Sequence, residues 1–268
     1  MEDHKVISYK NTKKFIVTDS FLKLIKKFKS LENTRGRIIL IIGSPGTGKS
    51  SNTYHAINTI DLNYYEPILL IDSTKTSSND VYNQIYEFLY YDLFAKTKDE
   101  VFNEMSKFDA VLVADKFLDS QYIDKSKIGL AEWVKNKSIL SIPFYLMFIF
   151  DTLKYRNKLK KINLVFQTAW TIEINGIKYD IITDIGLFSS MLQSILKKIF
   201  EVVKIEYTED ETIKIVKSYF KDVNIKEIRY YINKYGFKPR YILNDLENKN
   251  IKINKNNTKT SKGVIKSK

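Results

Sequence analysis

The residues best suited to chemistry lie in one run, Gly43-Ser44-Pro45-Gly46-Thr47-Gly48-Lys49-Ser50-Ser51. Its first eight positions fit GxxxxGK[ST], a spacing that suits a polyphosphate. Glycines let the backbone wrap so that successive N–H groups face one anion, and a helix starting at the loop adds its positive end. The lysine then places a charge at the β and γ phosphates, and the serine hydroxyl is a ligand for Mg2+. On this reading residues 43–51 bind ATP, Lys49 is catalytic and Ser50 is a metal ligand. Three of the chain's nine glycines, Gly43, Gly46 and Gly48, fall within this loop. A loop of this kind also needs a carboxylate beside the metal. Val111-Leu112-Val113-Ala114-Asp115 is an apolar run ending on an acid, which makes Asp115 the first candidate for the second Mg2+ ligand. Asp72, after Ile68-Leu69-Leu70-Ile71, is the rival.

The surrounding pattern predicts the elements that would hold these residues. Asp19-Ser20 can cap a helix with Phe21, Leu24, Ile25, Phe28 and Leu31 on one face. Gly36 ends that region, and residues 37–42 form a continuous apolar run expected of a strand buried on both sides. A helix over 50–60 follows the loop. Further strands are expected at 67–72 and 110–114, with a helix between them that Asn79 can cap, built on Val81, Ile85, Phe88 and Leu89. Residues 128–161 read as helical with a break near Pro143. Strands over 162–174 and 177–183 flank Asn175-Gly176, a type I′ hairpin signal. The next helix carries Leu187, Phe188, Met191, Leu192, Ile195 and Ile199 on what should be its inner stripe, and residues 201–205 form a last strand. Strands alternating with helices in this way indicate an α/β fold of three layers, α/β/α, around a mostly parallel sheet.

After Glu206 the punctuation becomes purely helical. Thr208 with Glu211 is a capping box, Asn224 with Glu227 opens a second helix that Gly236 ends, and Pro239 suits the first turn of a third, with Ile242, Leu243 and Leu246 as its apolar side. The expected organisation is an α/β domain over residues 1–206, a helical lid over 207–248 and a tail over 249–268. That tail holds seven lysines and no acid, so disorder is expected there.

Composition narrows the classes of function. The chain has 268 residues, no cysteine and two histidines, His4 and His55, which excludes thiolate catalysis, disulfide scaffolds and Cys-ligated metals and disfavours a His-based metal centre. The 12-residue apolar run 139–150 is shorter than a membrane span, and residues 1–14 lack the apolar core of a signal peptide, so a soluble, cytoplasmic protein without membrane contact is expected. A net charge of +13 points to a polyanionic partner, nucleic acid first, although seven of those charges sit in the tail.

The loop, the strand-end Asp115 and the order of sheet domain before helical lid resemble the P-loop NTPases, and among them the AAA+ ATPases; a RecA-like or DNA-translocating branch remains an alternative. The resemblance covers residues 20–247. It implies ATP and Mg2+, with Asp115 as the Walker B acid. Gly236-Phe237-Lys238-Pro239-Arg240-Tyr241 is similar to the lid segment that carries the sensor 2 arginine, so Arg240 would reach the γ-phosphate. For sensor 1 the choice lies between Gln167, after Leu164-Val165-Phe166, and Thr183, after Tyr179-Asp180-Ile181-Ile182; Gln167 is preferred. Lys116 stands where the family usually places a catalytic glutamate, leaving the base unassigned; Glu66 and Asp72 are the alternatives nearest the second strand. No arginine finger is assigned: Lys197 and Lys198 precede the last strand, and Arg156 and Arg229 are the other candidates. The expected function is that of an ATPase acting on DNA in replication initiation, loading or translocation, in a homo-oligomer by family analogy. The alternatives are a nucleotide switch with little turnover and a small-molecule kinase.

Overall fold

The computed structural model describes residues 15–66, 77–108, 110–114, 142–168, 170–174 and 177–249. The elements are α1 (Asp19–Lys29), β1 (Ile38–Ile42), α2 (Lys49–Ile60), β2 (Tyr64–Tyr65), α3 (Ser78–Asp92), α4 (Lys98–Met105) and β3 (Val111–Ala114). They continue with α5 (Ile142–Lys154), α6 (Arg156–Leu159), β4 (Leu164–Gln167), β5 (Thr171–Ile174), β6 (Ile177–Asp180), α7 (Gly186–Ile199) and β7 (Glu201–Lys204). Three helices close the described chain: α8 (Glu209–Tyr219), α9 (Ile225–Tyr235) and α10 over residues 239–249.

Five strands form one parallel sheet in the order β2-β3-β4-β1-β7, while β5 and β6 pair only with each other, antiparallel. Alternation along the central strands divides the core. Ile39 and Ile41, with Val111, Val113, Val165 and Val203, pack under α1 and α2. Leu40 and Ile42 face Ile182 and Phe200 on the other side, next to the α3–α6 cluster of Tyr82, Tyr86, Phe102 and Phe144 around Leu112. Helices therefore cover both faces, which is the three-layer α/β/α fold with a parallel sheet. The C-terminal bundle has its own core of Val216, Ile228, Ile232, Ile242 and Leu246.

Two polar devices fix the entry to β1. Asn163, fully buried, accepts from the Arg37 N–H at 3.1 Å and donates to the Leu31 and Thr34 carbonyls at 3.0 and 2.6 Å. It ties the end of α1, the start of β1 and the start of β4 together. Arg37 then forks onto Glu201 at the start of β7, and Lys27 of α1 donates to the same carboxylate at 2.9 Å. The Arg37 hydrogen bonds, more than the Lys27 one, hold the Glu201 carboxyl at about 2.

Several expectations shift. The helix caps are Thr18 and Ser77, not Asp19-Ser20 and Asn79, because Thr18 and Ser77 have the extended backbone that lets a hydroxyl turn onto the N–H three residues on. Helix α4, capped by Thr97, had not been anticipated: its eight residues give too short a period to read. The strand expected over 162–174 is two strands in two sheets. Thr168 N–H donates to the Ile41 carbonyl, after which the chain leaves the main sheet and enters the hairpin. Pro143 sits in the first turn of α5, which begins at Ile142, and a second interruption falls at Tyr155. Most of the stripe on α7 faces outward, with Leu187 91% exposed and Phe188, Met191 and Ile195 exposed too, while Leu192 and Ile199 are half-buried. Polar groups turn it that way: the Ser189 hydroxyl binds the Ile181 carbonyl and the Ile185 N–H, and the Gln193 amide binds the Ile182 carbonyl. The strand expected at 67–72, Asn175-Gly176, the tail from residue 250 onward, and residues 128–141 of the long helix lie outside the described residues.

Because the Glu201 carboxyl is held below its unfolded value of 4.5, its contribution to stability is present above pH 4.5 and is lost as pH falls toward 2. Glu201→Gln should therefore lower the unfolding midpoint at pH 7. The gap from the parent should close between pH 4.5 and 2, and a gap that persists unchanged in thermal melts at pH 2 contradicts the assignment.

Candidate functional site at the C-terminal edge of the sheet

The run 43–50 leaves β1 at the C-terminal edge of the sheet and enters α2, the place where parallel sheets bind ligands. Gly46 and Gly48 have φ of 86° and 75°, which L side chains rarely adopt. A Cβ on Gly43 would lie 2.6 Å from the Ile205 carbonyl oxygen. The loop is also held from within: the Thr47 hydroxyl donates to the Ser44 carbonyl at 2.8 Å, and Lys49 Nζ donates to the Gly43 carbonyl at 2.7 Å.

Helix α2 begins without a side-chain cap, directly at the glycine that ends the loop. Helices α1, α3, α4, α8 and α9 each have a Ser, Thr or Asn side chain accepting at the N-cap, while α6 and α7, like α2, have none. The N-cap of α2 is Gly48, with no side-chain acceptor and no acid in the first turn. Its leading N–H groups and the positive end of its dipole are left for an anion supplied from outside the helix. Asn52 locks the helix from behind: its amide donates to the Gly48 carbonyl at 2.9 Å and to Tyr207 Oη at 2.8 Å, and burial pushes the Tyr207 phenol up to about 12.

Two expected partners come to this loop. Gln167 stands at the end of β4 opposite Ile41, and its amide Nε2 donates to the Ser50 hydroxyl at 2.7 Å. Its Oε1 is buried with no hydrogen-bond partner among the described residues, an acceptor available to a donor beside Ser50. The C-terminal bundle arrives from the other side. Arg240 N–H donates to the Gly46 carbonyl at 3.2 Å, and a Cβ on Gly46 would meet the Tyr241 ring at 2.8 Å. Arg240 itself is exposed at the mouth of the loop.

Asp115, the preferred Walker B acid, follows β3 but lies outside the described residues, as do Asp72 and Lys116. Glu66 accepts from the Tyr54 hydroxyl at 2.5 Å, and Arg229 pairs with Glu209 at 2.7 Å. Among the described residues no group of three His, Cys, Asp or Glu side chains could hold a metal ion. The Ser50 hydroxyl beside the loop is one oxygen donor of the hard type that Mg2+ takes, and Mg2+ usually keeps several of its waters.

A junction that sequence reasoning missed lies next to the loop. Thr183, the second sensor 1 candidate, donates to Asp180 and Asp184 at 3.0 and 2.9 Å. Asp184 Oδ2 accepts from the Ser44 hydroxyl of the loop and from the Asp180 N–H, and it faces Lys238 Nζ at 3.3 Å. Lys238 is buried between the bundle and the hairpin, donating to the Lys178 carbonyl at 2.7 Å with the Tyr179 ring 4.5 Å away. Burial opposes charge on Asp184, but Ser44, the Asp180 N–H and Lys238 together hold its carboxyl below the usual range. Asp180 is wholly buried, and burial pushes its carboxyl up to about 6 against the pull of the Lys49 charge. One signal was legible in the sequence: two acids four residues apart, Asp180 inside and Asp184 directly after the strand expected over 177–183.

The fold of the described residues is a parallel five-stranded sheet followed by a helical bundle, α8 to α10. No protein-family model and no curated protein matches the sequence. Among solved structures it is similar to the replication initiator DnaA bound to AMPPCP and single-stranded DNA, at 18% identity and a TM-score of 0.45, over 88% of this chain and 64% of that one. It is also similar to the DnaC helicase loader, at 12% identity and a TM-score of 0.35, over 72% of this chain and 93% of that one. The Holliday junction branch migration motor RuvB of Thermotoga maritima aligns at 13% identity and a TM-score of 0.40, over 86% of this chain and 60% of its own. The chain thus spans less than two thirds of the DnaA and RuvB structures.

Two substitutions test the geometry. Gly46→Ala puts a methyl group against the Tyr241 ring at a φ unsuited to alanine, so amide hydrogen exchange across α8–α10 should accelerate; unchanged protection there contradicts the docking. Asp184→Asn should cost about 2 kcal/mol of stability, by leaving the buried Lys238 ammonium without its charge partner. In a Lys238→Met background the same change should cost less, and strictly additive losses in this cycle exclude the pairing.

Proposed function

We propose that this protein binds ATP in the loop Gly43–Ser50 and hydrolyses it as an AAA+-type ATPase acting on DNA. The observation that carries the reading is the loop itself: it follows a central buried strand, opens an α-helix that has no side-chain cap, and lies under a C-terminal helical bundle at Gly46. The loop N–H groups and Lys49 hold the β and γ phosphates, and Ser50 with Asp115 holds Mg2+, which when bound neutralises charge on the phosphate oxygens. Gln167 keeps the Ser50 hydroxyl in place through its amide, and its free Oε1 accepts from the attacking water, which approaches the γ-phosphate in line. Arg240 reaches the same phosphate from the bundle, so that bundle position and nucleotide state are linked.

The DNA part of the reading is supported by the basic balance of the chain. One sequence feature favours a second reading. Lys116 follows Asp115 where a glutamate would polarise the water, which suits a nucleotide switch with slow turnover.

Lys49→Ala should abolish saturable ATP binding measured by calorimetry, because it removes the charge at the phosphates; retained affinity refutes the site. Turnover measured as phosphate release should rise when DNA is added. Binding without turnover, with or without DNA, selects the switch, and transfer of phosphate to a small acceptor selects a kinase.

A further inference from the structure

The opposite edge of the sheet carries a second feature. At the N-terminal ends of β1 and β7 a cleft of about 440 Å3 opens between the end of α5 with α6 on one wall and the last turn of α7 on the other. Gly36, Ile38 and Phe200 form its floor. The walls are pinned close at the base, since a Cβ on Gly36 would lie 2.5 Å from the Lys160 carbonyl oxygen. Five cations line the cleft, Arg37, Arg156, Lys160, Lys197 and Lys198, against one carboxylate, Glu201. That carboxylate is already taken by Arg37 and Lys27. The other four cations have no carboxylate partner among the described residues.

Basic residues in a last helical turn are common, because they complement the negative end of the helix dipole, and that accounts for Lys197 and Lys198 taken alone. It does not account for Arg156, in the first turn of α6, facing the same cleft from the other wall. Beside the cleft, α5 also exposes Phe150, 64% accessible, one turn before Leu153, which lines it. A cation-lined groove flanked by an exposed aromatic ring is the arrangement that binds single-stranded nucleic acid, the groove following the phosphates and the ring stacking a base. The concavity favours a strand over an anionic membrane, since a phosphodiester chain can enter a cleft that the headgroup plane of a bilayer would bridge.

We infer that the cleft between α5–α6 and α7 binds the backbone of single-stranded nucleic acid through Arg156, Lys160, Lys197 and Lys198, with a base stacked on Phe150. The inference rests on the proposed action on DNA and adds to it a location, at the far edge of the sheet from the ATP loop.

The test is fluorescence anisotropy of a labelled oligodeoxythymidylate with the full chain, titrated at several salt concentrations, so that the lysine tail contributes equally to every variant. Arg156→Glu combined with Lys197→Glu and Lys198→Glu should weaken binding at least about tenfold and make the log K against log[salt] slope shallower by roughly 2, near 0.7 for each lost phosphate contact. ATP affinity should not change, as none of the three lies near the loop. Phe150→Ala should weaken binding several-fold with the slope unchanged, which a purely electrostatic surface would not do. If the charge reversal prevents folding, the corresponding triple Gln variant should still flatten the slope. Wild-type affinity and slope in a folded triple variant overturn the cleft while leaving the DNA reading intact. No oligonucleotide binding by the unaltered chain overturns both. Loss of binding to phosphatidylserine vesicles in the triple variant, with oligonucleotide binding retained, overturns the cleft in favour of a membrane.

Discussion

Strand β1 meets water on neither face and no sheet edge on either side, and that constraint propagates through the molecule. Ile39, Ile41 and Ile42 are fully buried and Leu40 nearly so, so the strand must have helices above and below and hydrogen-bonded neighbours left and right. The neighbours, β4 and β7, run parallel to it. All three strands therefore end at the same edge and deliver the phosphate-type loop, Gln167 and the approach to the C-terminal bundle to one place. Register sets the distance: Gln167 lies opposite Ile41, two residues before Gly43, which brings its amide to Ser50.

The same parallelism puts the beginnings of these strands at the far edge, where no loop residue competes for charge. Arg37 is consumed there by Glu201, and Asn163 satisfies the backbone at the strand entry. Arg156, Lys160, Lys197 and Lys198 have no carboxylate partner among the described residues. A parallel sheet thus separates two anion-seeking regions by the length of a strand, one built from backbone N–H groups at a helix start and one from side-chain cations.

Between the loop and the bundle, charge is handled at Asp184. A single carboxylate oxygen accepts from Ser44 of the loop and from the hairpin backbone, and faces Lys238 of the bundle. Three segments distant in sequence share one charge pair in which Lys238 is buried and Asp184 half-buried, which is costly to open halfway because the lysine would be left desolvated. Docking of the bundle at Gly46 and at Asp184 is for this reason one event: Lys238 and Arg240 are two residues apart, and moving either moves both.

The sequence by itself determined the loop, the strands β1 and β3, the hairpin that follows β4, and the three-helix punctuation after Glu206. Each of these is written in local terms: glycine spacing, continuous apolar runs, capping residues three positions apart. It also placed Gln167 at the end of a strand. The tertiary structure alone decided which strand that end would lie beside, that 162–174 would divide between two sheets, and that most of the apolar stripe of α7 would face outward. In the last case hydrophobic periodicity pointed the wrong way, because Ser189 and Gln193 found backbone partners in the turn after β6 and fixed the helix by hydrogen bonds that no periodicity records. Asp180, Asp184 and Lys238 were unremarkable as letters for the same reason. Their roles come from burial and from partners about 60 and 140 residues away in the chain, and long-range electrostatics in a desolvated site has no local signature in sequence.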